Sequence, residues 1–179
     1  MSRFADEVAG LGNNLGGVLV QLPPSLTFDA RTADTFFAML RRRVSAPGAC
    51  EPRHSSWFEA GVTALWQRYD IARVAADPAR IPEAAQPAGS GCWDYWRWHG
   101  SPRMYYDKYD EDRLYVLAKS ILARSARNHT AWCIFDNTAA GHAIANAARL
   151  QALVLEVATE PKRTRRRRAQ GRSSALATW

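Results

Sequence analysis

Cysteine is scarce in this chain. Its 179 residues include only Cys50, Cys92 and Cys133, and no two of these form a CxxC pair. An odd number of thiols cannot pair completely, and the usual spacing of a zinc or redox motif is missing. Each cysteine lies in a strand-like segment, where a free thiol packs as a small apolar side chain. We therefore expect structural thiols and a cytoplasmic location.

Long apolar segments are lacking as well. No run approaches the roughly 18 apolar residues that a membrane-spanning helix requires. Residues 1–12 include Asp6 and Glu7, and they lack the basic start and apolar run of a secretory signal. The sequence thus predicts no membrane segment and no secretory signal. Its apolar share of 47% is nonetheless sufficient to bury the core of one domain.

Most of the chain has no excess of charge of either sign. The net charge of +7 arises from one stretch with seven of the 24 basic residues, and the other 17 balance the 17 acidic ones. The basic residues of this stretch are Lys162, Arg163, Arg165, Arg166, Arg167, Arg168 and Arg172. Because like charges repel each other, we expect a folded domain over residues 1–158 and a disordered tail over 159–179. The tail could bind nucleic acid through its phosphates, or it could simply remain solvated.

The chain does contain a regular alternation of strand-like and helix-like segments. The predicted strands are residues 18–22, 49–53, 71–75, 92–99 and 130–135. Apolar residues at helical spacing precede the first strand and follow most of the others. This alternation predicts a parallel α/β sheet covered by helices. An open doubly wound sheet and a barrel both satisfy the pattern.

Local signals set several boundaries of these elements. Ser56 and Glu59 have the S-x-x-E spacing of a capping box, which predicts that a helix begins there. Asp110 is the predicted N-cap of the helix that follows the fourth strand. The proline-rich residues 78–91 indicate a loop, and the last helix is predicted over residues 141–157.

The fourth predicted strand carries information about burial. Side chains alternate between the two faces of a strand, so Trp96 and Trp98 share one face and Tyr95, Arg97 and His99 share the other. We expect helices to cover the tryptophan face. A face covered by helices would not accept an unpaired Arg97, because burying a lone charge is costly. A barrel interior lined by matching charges would accept it.

Polar residues cluster where the predicted strands end. They are Gln21, Glu51, Arg53, His54, Asp77, His99, Asp136 and Asn137. In parallel βα folds the carboxyl ends of the strands and the loops that follow build the active site. We therefore predict a polar pocket at these strand ends.

The chemistry of these side chains suggests specific roles. Glu51 and His99 are the candidate catalytic residues, because both can transfer protons near neutral pH. Arg53 and Arg97 could each hold a phosphate or carboxylate group with two donors, and Asn137 could orient the substrate. The predicted substrate-binding set is Gln21, Arg53, His54, Arg97, Asp136 and Asn137.

Structural interpretations are open for the same residues. Glu51 could belong to an internal ion pair, and His54 could orient the loop that follows it. His99 could bond to a neighbouring strand end, Asp77 could form an Asx turn, and residues 136–138 could cap the last helix. The loop tyrosines could line the pocket or only pack; they are Tyr105, Tyr106 and Tyr109.

A metal site is a further alternative. His54, His99, Glu51 and Asp77 form a mixed nitrogen and oxygen set that suits zinc or manganese. No HxH or HExxH spacing supports such a site. We therefore predict no metal ligands, and the sequence leaves the cofactor open.

Four short motifs follow one another along the chain. They are Gln21-Leu22-Pro23-Pro24, Glu51-Pro52-Arg53-His54-Ser55-Ser56-Trp57, Arg97-Trp98-His99-Gly100 and Phe135-Asp136-Asn137-Thr138. In this order they resemble the signatures of the YecE-like family, also called domain of unknown function 72, and the resemblance covers residues 4–157. It implies a TIM-barrel-like fold in which the polar strand ends line one pocket, and it implies no particular reaction.

The same resemblance implies that the first barrel strands are lacking. A barrel of this type needs about eight strands and roughly 250 residues, whereas five strands are predicted here. We expect an incomplete barrel, which a second chain could complete. Three functional hypotheses follow: an enzyme that acts on a small anionic substrate, a nucleic-acid binder that uses its tail, and a non-functional fragment.

Overall fold

The computed structural model describes residues 1–160, which contain six parallel strands and five α-helices. The strands are β1 (Val18–Gln21), β2 (Gly48–Glu51), β3 (Ile71–Arg73), β4 (Ala75–Asp77), β5 (Trp93–Trp98) and β6 (Thr130–Phe135). The helices are α1 (Ser2–Ala9), α2 (Ala30–Arg43), α3 (Thr63–Arg68), α4 (Glu111–Ser125) and α5 (His142–Thr159). The predicted α/β class with parallel strands is confirmed. The predictions for the basic residues 162–172 fall outside the described residues.

The strands form two sheets of three, in the orders β1-β2-β3 and β4-β5-β6, and every pair is parallel. The third predicted strand is divided at Val74, whose N–H donates to the carbonyl of Cys50 at 2.8 Å. On one side, Arg73 pairs with Ala88, and the chain pairs with β5 on that side only from Ala75 onward. This change of neighbour explains why six strands are present where the sequence predicts five.

Two apolar cores lie between the sheets and the helices. The first includes Phe37 and Leu40 of α2 and Trp66 of α3, packed on the outer face of β1–β3. The second includes Trp96 of β5 and Leu117 of α4, with Trp98 packed beside them. Burial of side chains of this size contributes about 1.5–3 kcal/mol each. The prediction that Trp96 and Trp98 face the helices is confirmed.

The opposite face of the sheets carries a third apolar cluster that includes Trp93 and Tyr95. The Trp93 ring meets the Tyr95 ring at 5.4 Å and the Trp132 ring of β6 at 5.6 Å, both edge to face. A Cβ on Gly16 would lie 2.6 Å from the Trp132 ring. The chain entering β1 thus packs directly against β6.

Helix starts follow the predicted signals only in part. Asp110 caps α4 by accepting from the N–H of Arg113 at 2.9 Å, as predicted. No α-helix begins at Ser56, because its hydroxyl accepts from the N–H of Phe28 and its own N–H donates to His54 Nδ1. The segment Ser55–Phe58 is a 3₁₀ turn instead. Within the described part of the chain, none of the helices is long and apolar enough to span a membrane.

Candidate functional site

Glu51 lies at the centre of a polar network at the carboxyl ends of the strands. It is the last residue of β2 and only 2% exposed. Its Oε1 accepts from Arg53 Nη2 at 2.7 Å and lies 3.2 Å from His99 Nε2. Its Oε2 accepts from Arg97 Nη1 at 2.7 Å. Both carboxylate oxygens are therefore engaged by cationic or imidazole groups.

Arg97 of β5 connects three chain segments. Its Nη1 also donates to Gln21 Oε1 at 2.5 Å, and its Nη2 donates to Asp136 Oδ2 at 2.9 Å. The parallel register brings these positions level, since Gln21 pairs with Glu51 and Trp98 pairs with Phe135. The guanidinium thus joins the end of β1 to the ends of β2 and β6.

His99 directly follows β5 and is almost completely buried. Its Nδ1 lies 2.8 Å from Asp136 Oδ2, while Nε2 faces Glu51 Oε1 and lies 3.4 Å from Arg53 Nη2. Nδ1 thus faces a carboxylate, which accepts hydrogen bonds, whereas Nε2 lies between the acceptor Glu51 and the donor Arg53. The Tyr105 ring meets the imidazole edge to face at 5.8 Å.

The surroundings of Glu51 favour its charged form. Burial alone would raise its pKa, but hydrogen bonds from His99 and Arg97, together with the charges of Arg53 and Arg97, outweigh that effect. The pKa of Glu51 therefore lies below its ordinary value of 4.5. The carboxylate is ionised at neutral pH and could accept a proton.

Arg53 combines an ion pair with a free donor at a cavity. Its Nη2 binds Glu51, and its Nε is buried without a hydrogen-bond partner within residues 1–160. Its Nη1 forms no hydrogen bond with these residues either, but it is not buried. The side chain is 15% exposed and lines a cavity. Nη1 can therefore donate to a ligand while Nη2 keeps its ion pair with Glu51.

The cavity lies beside the ends of β2 and β4 and has a volume of about 510 Å³. Its polar lining residues are Glu51, Arg53, His54, Ser55, Arg80 and His99. His54 Nδ1 lies 2.9 Å from Ser56 Oγ, which fixes the ring at the cavity wall. Arg80 is exposed and forms no ion pair with any described residue. The cavity thus combines a carboxylate and two histidines with the guanidinium groups of two arginines.

The structure brings together most of the residues that the sequence predicts for the pocket. Six of them share one network: Gln21, Glu51, Arg53, Arg97, His99 and Asp136. His54 lines the same cavity from the loop after β2. The alternation of side chains along β5 and the parallel register account for this convergence.

Asn137 and Asp77 are placed apart from this network. Asn137 is fully buried, and its Nδ2 donates to the carbonyl of Asp107 at 3.0 Å and to Asn146 Oδ1 at 2.9 Å. Asp77 accepts from Tyr109 Oη at 2.9 Å and from Arg113. Their contacts connect the strand ends to α4, α5 and the loop after β5. The Asp77 carboxylate is therefore engaged by Tyr109 and Arg113 and does not join Glu51 and His99, as the alternative of a metal site required.

The described residues contain no group of three or more His, Cys, Asp or Glu side chains arranged to hold a metal ion.

Several residues of the cavity were not predicted from the sequence. Arg80 and Ile81 lie in the proline-rich loop, and Met104 lies in the loop after β5. Their position directly after strands was the available signal, since such loops commonly carry functional residues.

Comparison with solved structures gives the same fold. A DUF72 family protein from Thermotoga maritima superposes with a TM-score of 0.71 at 20% identity, covering 86% of this chain and 65% of that one. Two structures of a DUF72 family protein from Enterococcus faecalis give TM-scores of 0.66 and 0.64 at 16% and 20% identity. They cover 84% and 78% of this chain, and 66% and 61% of those chains.

This chain therefore spans just under two thirds of the length of the solved structures that it matches. Among curated proteins, none matches it. The family model described as "Protein of unknown function DUF72" matches residues 1–170. This match confirms the resemblance found in the sequence motifs, and the chain belongs to the DUF72 family.

Proposed function

We propose that this protein is an enzyme that binds a small anionic substrate, bearing a phosphate or carboxylate group, at the ends of β2, β4 and β5. In this proposal Arg53 binds the anionic group, and Glu51 with His99 transfers a proton. His54 and Arg80 line the same cavity and could add further donors. The network around Glu51 holds these groups in place before any ligand enters.

The free Nη1 of Arg53 is the observation that supports this proposal best. It forms no hydrogen bond within residues 1–160 and, unlike the buried Nε, it is open to solvent. Arg53 lines the cavity, and a guanidinium matches the geometry of phosphate and carboxylate groups. An anion in the cavity could therefore accept from Nη1 while Nη2 keeps its bond to Glu51.

The structure suggests a different role for Arg97 from the one expected. Its Nη1 and Nη2 bind Gln21, Glu51 and Asp136, so these donors are not free for a substrate. We assign it the task of holding Glu51 ionised and in position. Glu51 Oε1 and His99 Nε2 lie 3.2 Å apart and both residues line the cavity, so we assign Glu51 to accept a proton from the substrate and the His99 ring to return one to it.

We also propose that the two sheets are part of a TIM-barrel-like arrangement. In a flat sheet, β1 and β5 would be too far apart for the contact between Gln21 and Arg97. The packing of Gly16 against Trp132 likewise supports strong curvature from β1 to β6. The polar network would then occupy the carboxyl end of the barrel interior, where TIM-barrel active sites lie.

Anion binding at Arg53 can be tested with inorganic phosphate. We expect phosphate to raise the melting temperature of the protein, and we expect Arg53→Gln to remove this shift. Arg42→Gln provides a matched control, because Arg42 is an exposed arginine of α2 that does not line the cavity. Circular dichroism checks that each variant is folded. A full phosphate shift in folded Arg53→Gln would refute the assignment of the anion site.

A further inference from the structure

The cavity that Arg53 lines is bordered by apolar groups as well. Phe58, Ile81, Ala84 and Met104 line it together with the polar residues, and we call these four side chains the apolar wall. Phe58 ends the 3₁₀ turn after β2, Ile81 and Ala84 belong to the loop after β4, and Met104 follows β5. Three separate loops thus contribute apolar groups to one cavity.

Phe58 packs against the first core, but the other three apolar groups are not explained by the protein core. Ile81, Ala84 and Met104 belong to none of the hydrophobic clusters formed by the described residues. Ala84 is nevertheless buried, and Ile81 and Met104 are half-buried. Their apolar surface faces the cavity, where it could be covered by an apolar part of a ligand.

The apolar wall is also held in place by the protein. Arg73 Nη2 donates to the carbonyls of Glu83 at 2.9 Å and Gln86 at 3.1 Å, on either side of Ala84. The same guanidinium lies 5.0 Å from the centre of the Phe58 ring. One arginine therefore fixes the positions of two parts of the wall, so that little ordering would be needed on binding.

The cavity is larger than a single phosphate or carboxylate group. Its volume of about 510 Å³ lies within the range of roughly 300–1,000 Å³ that is typical of sites for small organic ligands. An anion held at Arg53 would leave space beside it, bounded by the apolar wall. The remainder of an organic ligand, beyond its anionic group, would occupy that space.

We infer that the ligand of this cavity is an organic phosphate or carboxylate whose anionic group is attached to an apolar, aromatic or branched aliphatic body. This inference rests on the proposed function, because it places the anionic group at Arg53. The body lies against Phe58, Ile81, Ala84 and Met104. Sugar phosphates and other anions with a polar body bind less tightly, since they leave this wall uncovered.

Phenyl phosphate, glycerol phosphate and inorganic phosphate provide the test, with binding measured by calorimetry. We expect phenyl phosphate to bind about tenfold more tightly than glycerol phosphate, because it buries apolar area that the polar compound lacks. Benzoate compared with acetate gives the corresponding test for a carboxylate. A preference in only one series identifies which anion the site takes.

Two variants locate this preference on the apolar wall. We expect Met104→Gln and Ile81→Asn to lose most of the tenfold preference while binding inorganic phosphate like the parent protein. Met39→Gln is the matched control, because Met39 is a half-buried methionine of α2 outside the cavity, and its preference should be unchanged.

The outcomes separate this inference from the proposed function. If inorganic phosphate binds through Arg53 but neither aromatic compound is preferred, the inference about the ligand body is wrong and the anion site stands. If no anion binds at all, both are wrong. A preference that survives Met104→Gln and Ile81→Asn would also overturn the inference, because the apolar wall would then not be its source.

Discussion

Arg97 Nη1 donates a 2.7 Å hydrogen bond to Glu51 Oε2, which joins the end of β5 to the end of β2. Both side chains are largely buried, with 19% and 3% of their surfaces exposed. Each charge is tolerated in this position because the other compensates it, together with Arg53 and Asp136. The same contacts thus hold the ends of β2, β5 and the segment after β6 together beside the cavity.

Replacement of Glu51 should destabilise the protein in proportion to the contacts that are lost. Glu51→Ala leaves Arg53 and Arg97 without their shared carboxylate, so we expect the free energy of unfolding to fall by about 3–5 kcal/mol. Glu51→Gln keeps the shape and one acceptor, and its loss should be smaller. Urea unfolding at neutral pH measures both. A change below about 1 kcal/mol for Glu51→Ala would contradict the central position of this residue.

The low pKa of Glu51 makes stability depend on pH in the acid range. The unfolded chain binds a proton at Glu51 near pH 4.5, before the folded protein does, so acid favours unfolding. This contribution is complete above that pH and is lost as the pH falls through the folded pKa. Urea unfolding from about pH 7 to pH 3 should therefore show a shallower decline for Glu51→Gln than for the parent protein. Equal slopes would show that the carboxylate of Glu51 has no lowered pKa.

The position of Asn137 gives a prediction that separates structure from binding. Its amide bridges Asp107 and Asn146 in a fully buried environment, so Asn137→Ala should lower the free energy of unfolding by about 1–3 kcal/mol. Asn13→Ala, at an exposed position, should have no comparable effect. Phosphate binding should be retained by Asn137→Ala, because the residue does not line the cavity. Loss of phosphate binding without loss of stability would restore its predicted role in substrate orientation.

Much of the fold could be predicted because local patterns determine it. The strands β1, β2, β5 and β6 are short apolar segments between turn residues, and the cap at Asp110 is a local interaction. The division between β3 and β4 could not be predicted, since it depends on Ala88 and β5 meeting the same strand at different points. Such pairing is a property of the tertiary structure.

The candidate site shows the same limit. Strict alternation along β5 predicted that Arg97 and His99 share a face with the ends of neighbouring strands, and the structure brings these groups together. Residues beyond a strand end no longer follow the alternation, so the sequence could not show which way Asp77 and Asn137 point. The contribution of Arg80 was hidden for a similar reason, because a loop has no periodicity from which to read its direction.

The faces of β1 and β6 opposite the helices should promote association with another polypeptide. Leu19, Trp132 and Ile134 are 37%, 37% and 39% exposed, and within the described residues β1 and β6 each pair with a neighbour on one side only. Open edges beside exposed apolar groups favour pairing between chains. In a pure sample the available partner is a second copy, so we expect concentration-dependent association in sedimentation velocity.

Substitutions on these faces test this expectation. The double variant with Leu19→Gln and Ile134→Gln should remain monomeric at concentrations at which the parent protein associates. Val116→Gln is the matched control, because Val116 is a 63% exposed valine on α4. Association that persists in the double variant, or a parent protein that is monomeric throughout, would rule out these faces as the contact.

The basic stretch outside the described residues gives a prediction about nucleic acid. Its predicted contacts are Lys162, Arg163, Arg165, Arg166, Arg167 and Arg168. If they neutralise about six phosphates, the affinity for duplex DNA or RNA should fall by roughly 10³ between 50 and 200 mM salt. Binding releases counterions from the nucleic acid, and added salt opposes this release. Removal of residues 161–179 should abolish this binding and leave the phosphate-induced thermal shift unchanged, since the residues that line the cavity all belong to 24–104. A mobility-shift assay at two salt concentrations measures the first effect, and equal binding by the shortened and full-length chains would show that the stretch does not contact nucleic acid.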